Sequence, residues 1–119
     1  MSDCIFCRIV AGEIPASVVH SDERVIAFRD VNPQAPVHVL VVPRRHVESL
    51  AALAAEDGED ADLAAALLAA ANRVARAEGL AAPDRGFRVV ANTGPHGGQS
   101  VDHLHLHVLG GRVLAWPPG

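Results

Sequence analysis

The chain has 119 residues, half of them apolar, with a formal net charge of −4 and two cysteines. That length holds one domain, residues 1–119, with one core and no need of a disulfide framework. No apolar run approaches the roughly 18 residues of a spanning helix, and the ten basic residues, all Arg, are dispersed rather than gathered into a nucleic-acid-binding stripe.

A small anion held in one pocket stays open. Asp3, Arg8 and Glu13 around a short apolar start make a poor signal peptide, so a cytosolic protein is expected. With three Phe, one Trp and no Tyr, each aromatic residue is one of few large flat surfaces.

In chain order, Cys4-Ile5-Phe6-Cys7 comes first. Two thiols spaced by two residues suit a metal knuckle or a redox pair, or else two ordinary buried thiols. The βαβ setting of a thioredoxin-like pair is missing. A four-ligand structural zinc would have to recruit two histidines, and His46 and His103 are the candidates. Val18 to Asp30 reads as two extended pieces around the polar turn Ser21-Asp22-Glu23. Asp30 is placed either to accept paired hydroxyls, such as those of a ribose, or to cap the turn at Asn32-Pro33. VHVLVV, residues 37–42 between two prolines, predicts a buried strand. His38 within it is either a satisfied core residue or one turned towards other histidines.

Residues 54–78 carry helical apolar spacing at Leu63, Leu67 and Val74, with Gly79 at the C-terminal cap and carboxylates at the positive end of the helix dipole. Phe87–Asn92 and His103–Leu109 predict two more strands, joined by the glycine-rich TGPHGGQS. Antiparallel strands with one principal helix make an α+β domain. His20 and His96 read as surface residues without a role.

The segment His103-Leu104-His105-Leu106-His107-Val108-Leu109 alternates strictly. On a strand its apolar residues face a core, and three imidazoles line the other face at ~6.6 Å intervals. Half-buried imidazoles need partners. Two chemistries fit: metal binding, or attack of a neutral imidazole on phosphorus while neighbouring donors hold the oxygens. The glycine loop just upstream, whose backbone N–H groups can turn towards an anion, favours the second.

CIFCRIVAGEIPA, AFRDVNPQAPVHVLVVPRRH, GGQSVDHLHLHVLGGR and the ending WPPG, in this order over nearly the whole chain, resemble the histidine triad (HIT) family and its Hint branch of nucleotide-binding proteins. The resemblance implies an antiparallel sheet with a main helix and a short helix, in a two-fold dimer forming one continuous sheet. It implies a purine nucleoside phosphoramidase or adenylyl hydrolase that cleaves P–N bonds and releases AMP or GMP through a nucleotidyl-histidine intermediate, without a catalytic cofactor.

By position, His105 would be the nucleophile, His107 would hold the phosphate, His38 would support the imidazoles, and Ser100 would stand near the departing amine. Phe28 and Val31 would line the base, Asp30 would accept the ribose hydroxyls, and Asn92, Gly98 and Gln99 would join Ser100 around the phosphate. Trp116 would reach the partner's pocket, and the helix face at Leu63, Leu67 and Val74 would serve the dimer contact in part. The resemblance also implies structural zinc on Cys4, Cys7, His46 and His103. Asp102 departs from the family's usual aromatic residue. A dinucleoside polyphosphate hydrolase, a nucleotide-binding regulator with vestigial hydrolysis and a metalloenzyme are the other readings.

Overall fold

The apolar runs become strands of one antiparallel sheet in the computed structural model, which describes residues 3–54 and 56–119. In chain order the elements are α1 (Ile5–Val10), β1 (Val18–Ser21), β2 (Val25–Arg29), β3 (Val37–Pro43), α2 (Gly58–Ala77), β4 (Phe87–Val90), α3 (Gly94–Gly97) and β5 (Leu106–Gly110), with a 3-10 turn at Leu50–Ala52. The strands lie in the order β1-β2-β3-β5-β4, each pair antiparallel. The predicted polar turn closes the β1–β2 hairpin, where Asp22 Oδ1 accepts from the backbone of Arg24 and Val25, both at 2.9 Å.

β3 is central and nearly buried throughout, as a continuous β-branched run requires. One face of the sheet carries α2. Leu63, Leu67, Ala70, Ala71, Val74 and Ala75 pack there against Val25, Val39, Val41, Leu104, Leu106 and Val108. This corrects the assignment of Leu63, Leu67 and Val74 to a dimer contact, because that stripe is consumed by the protomer's own core. The large apolar side chain that α2 leaves exposed is Leu68. The opposite face carries a second, smaller apolar cluster of Phe6, Ile26, Phe28, Leu40 and Val42, partly covered by α1.

Three boundaries differ from expectation. The α2 helix begins at Gly58 rather than residue 54, after the 3-10 turn; Ala55 lies outside the described residues. The strand at Phe87 stops at Val90. The final strand begins at Leu106 rather than His103, because the backbone ahead of it turns away from the ladder, Leu104 N–H donating to Val47 O at 2.6 Å. Gly79 takes the expected left-handed conformation at φ +75°. Gly110 has a different reason for being glycine: a Cβ there would sit 2.7 Å from buried Leu80. No helix among the described residues is long and apolar enough to cross a membrane.

Candidate active site and metal centre

The smaller apolar face opens into a cleft of about 480 Å3. Ile5, Phe6 and Ile9 of α1 form one wall, Phe28, Asp30 and Val31 at the end of β2 form another, and Ser100, His105 and His107 form the polar floor. Leu104, Leu106 and Val108 point to the α2 side, as alternation predicts, and the histidines point away from it. The regular 6.6 Å spacing of the three rings does not hold, because only His107 lies within the strand. The His105 and His107 rings stand 4.9 Å apart, whereas His103 turns aside towards the cysteines.

Hydrogen bonds settle which nitrogen of each ring carries the proton. His105 is buried, and its Nδ1 lies 2.7 Å from the carbonyl oxygen of His103. A carbonyl only accepts, so Nδ1 carries a proton, and in the neutral ring the lone pair is on Nε2. The same logic runs through a second chain. Gln34 N–H donates to His38 Nδ1 at 3.0 Å, so His38 Nε2 holds its proton and donates to His107 Nδ1 at 2.8 Å. His107 must then carry its proton on Nε2, a buried atom with no hydrogen-bond partner among the described residues. A buried donor without a partner is costly, and at a cleft wall it is a socket for an acceptor oxygen.

Both rings of this chain are neutral near pH 7. Burial, then the neighbouring His105 and His38 rings, hold His107 down to about 4, with Asp30 pulling the other way. Burial lowers His38 as well, again opposed by Asp30. Asp30 caps the turn, Oδ1 accepting from Asn32 N at 2.9 Å, and its Oδ2 lies 3.3 Å from His38 Nε2 at the cleft. Asp30, His38 and His107 also lie close enough to suggest metal ligation. The backbone N–H on His38 Nδ1 argues against it, because a metal on Nε2 would require an imidazolate.

His103 belongs to a separate cluster with Cys4, Cys7 and His46. Its Nδ1 lies 3.2 Å from Cys4 Sγ, 3.5 Å from Cys7 Sγ and 3.2 Å from His46 Nδ1, and Cys7 Sγ lies 3.3 Å from His46 Nδ1. Around a tetrahedral zinc, paired nitrogens stand about 3.3 Å apart and nitrogen–sulfur pairs about 3.5 Å. Wholly buried His103 donates from Nε2 to Pro43 O at 2.8 Å, which leaves Nδ1 free to ligate and fixes the ring's orientation. The donor set and its spacing fit a tetrahedral metal.

The other predicted residues are placed less directly. Gln99 spends its side chain on scaffolding: Oε1 accepts from Gly94 N at 3.0 Å, and Nε2 donates to Glu48 O at 2.7 Å and Val101 O at 3.0 Å. Much of the glycine segment folds on itself as α3. Gly98 N–H and Gln99 N–H bond back to Pro95 O and Gly94 O, so Ser100 is the member that reaches the cleft. Asn92 is partly buried behind this segment and does not line the cleft. Trp116 is 81% exposed, with the Arg88 guanidinium 6.0 Å from its ring, and does not line its own chain's cleft. Asp102, His20 and His96 do not line it either. Sequence reasoning missed Gln34, whose backbone amide sets the His38 tautomer without any side-chain signal. It also missed the α1 wall, for which the scarcity of Phe was the available hint.

A family model for the HIT domain matches residues 11–114. The chain belongs to the HIT family. A crystal structure of a HIT family hydrolase from Legionella pneumophila superposes with a TM-score of 0.91 at 46% identity, covering 98% of this chain and 100% of that one. A 14 kDa zinc-binding protein of Brassica juncea is 47% identical over 117 residues, 98% of this chain and all of the relative. The adenylylsulfatase HINT1 of Arabidopsis thaliana is 47% identical over 118 residues, 99% of this chain and 78% of the relative. These relatives establish the HIT fold of the five-stranded sheet and main helix.

Proposed function

We propose that this HIT protein is a nucleotide hydrolase that attacks the α-phosphorus of purine nucleoside phosphoramidates and related adenylylated compounds. The observation that carries this reading is the His105 tautomer, which leaves an Nε2 lone pair on a ring lining a cleft of mononucleotide size. The Nε2 pair forms a bond to phosphorus, the P–N bond to the leaving amine breaks, and the departing nitrogen takes a proton from solvent water beside Ser100, matched by the proton that the hydrolytic water later releases to solvent. Water then attacks the nucleotidyl-imidazole, breaking its P–N bond, releasing AMP or GMP and restoring His105. His107 Nε2–H, without a partner among the described residues, would donate to a phosphoryl oxygen, and its neutrality spares it competition with the nucleophile. Phe28 and Val31 would flank the base and Asp30 the ribose, with Ser100 beside the phosphate.

Zinc would be held by Cys4, Cys7, His46 and His103, and supplies structural cross-linking rather than a reacting centre. A two-fold dimer would form through the open edge of β4, where Phe87 and Val89 are exposed, bringing Trp116 to the partner's cleft. The adenylylsulfatase relative adds adenylyl sulfate as a second substrate class sharing the adenylyl group. A turnover panel of adenosine and guanosine phosphoramidates, adenylyl sulfate, adenylylated lysine and dinucleoside polyphosphates tests the reading. Phosphoramidates should lead, and a lead by dinucleoside polyphosphates would replace this assignment with the alternative hydrolase.

A further inference from the structure

The α1 helix has six residues, well short of the roughly 12–15 at which an isolated helix becomes even marginally stable, so its order depends on tertiary contacts. Its first turn is bracketed by the metal-type donors. Cys4 is the N-cap, its Sγ accepting from Cys7 N at 3.3 Å, and both thiols reach the buried His103. Between them stands Phe6. Its ring meets His105 edge-on at 5.1 Å, Phe28 at 5.6 Å and His103 at 5.8 Å. One residue thus touches the His105 ring, the Phe28 wall of the cleft and a ligand of the donor cluster, while Ile5 and Ile9 stand beside it on the α1 wall.

We propose that the Cys4–Cys7–His46–His103 cluster is a positioning element for the nucleotide cleft: its metal clamps the first turn of α1 and thereby sets Phe6 against His105 and the bound base. The inference rests on the nucleotide reading of the cleft. It assigns Phe6 as a positioning residue, and it separates binding from chemistry, because the bond that orients the His105 ring runs to the backbone carbonyl of His103 and not to the thiols.

The test compares protein prepared with zinc and stripped of it, using AMP as the probe in calorimetry and hydrogen exchange across residues 5–10. Stripping should raise exchange throughout α1 and weaken AMP binding roughly tenfold, the size expected when aromatic edge contacts are lost. The KM of a phosphoramidate should rise in parallel while kcat stays within about threefold, a split that mere loss of stability would not produce. Phe6→Leu should weaken AMP similarly with the metal retained and α1 still protected. His46→Cys, which keeps four ligands, should keep both protection and affinity at the wild-type level.

Unchanged AMP affinity and exchange after stripping would overturn the proposal. Where stripped protein does not fold, unchanged affinity in metal-loaded Phe6→Leu does the same. Failure of the nucleotide reading itself looks different: loaded wild type binds no AMP although α1 protection still follows the metal, and the cleft's ligand is then what falls.

Discussion

His103 and His105 are separated by one leucine, share a backbone, and do opposite things with the same ring. His103 donates from Nε2 to Pro43 O and presents Nδ1 to two thiols and a second imidazole. His105 donates from Nδ1 to its own neighbour's carbonyl and keeps Nε2 for the cleft. Chemistry thus divides along the segment through which nitrogen the backbone occupies, not through residue type. Spacing separates the two ends as well. Four of the ligand-atom pairs in the cysteine cluster lie 3.2–3.5 Å apart, as spokes around a common centre, whereas His38 and His107 approach to 2.8 Å, a hydrogen bond.

The largest expected effect breaks the cleft side alone. His105→Ala should lower phosphoramidate turnover by roughly a thousandfold or more, the scale of removing a nucleophile, while metal content and melting temperature stay near wild type. A variant that retains substantial turnover would show that His105 is not the group attacked through. The reverse experiment breaks the metal side. Cys4→Ser with Cys7→Ser should lower the melting temperature by on the order of 10 °C through loss of a structural cross-link, with kcat at saturation within about threefold. Abolished kcat in a protein whose circular dichroism is intact would place the metal in the chemistry.

How far this division is legible in the sequence varies by residue. The alternation around Leu104, Leu106 and Val108 predicts their burial from period alone, whereas the thiol pair by residue type only asks for further ligands, and the full set with His46 and His103 is what the family resemblance implies. The parting of His103 from His105 is not legible. It depends on the chain leaving the ladder before Leu106, a departure made by Leu104 N–H bonding to Val47 O in a segment more than fifty residues away. The Leu63, Leu67 and Val74 stripe was visible as apolar, but periodicity cannot say whether a helix faces its own sheet or a second copy. Likewise the glycines after Asn92 advertise tight turning without saying whether the freed amides face an anion or, as for Gly98 and Gln99, the loop's own carbonyls.

The smallest effect sharpens the comparison through protons. His107 is held at about 4 against 6.5 for an ordinary imidazole, so between these values the unfolded chain binds a proton that the folded chain refuses. Stability from this residue is therefore full above pH 6.5, falls as the pH drops through the interval, and levels off below about 4. The slope cannot exceed about 1.4 kcal/mol per pH unit for one group, and partial solvent access at His107 makes it smaller. Loss of a metal from the thiol cluster at low pH would act in the same direction, so His107→Gln is best compared with its parent in the Cys4→Ser/Cys7→Ser background. Urea unfolding at pH 4.5, 5.5 and 6.5 should then give a flatter dependence for His107→Gln. A residual slope of the same sign should persist, because burial also lowers His38. Equal slopes in the two proteins would mean that His107 takes up its proton as readily folded as unfolded. A neutral Nε2–H donor facing the cleft would then have no basis.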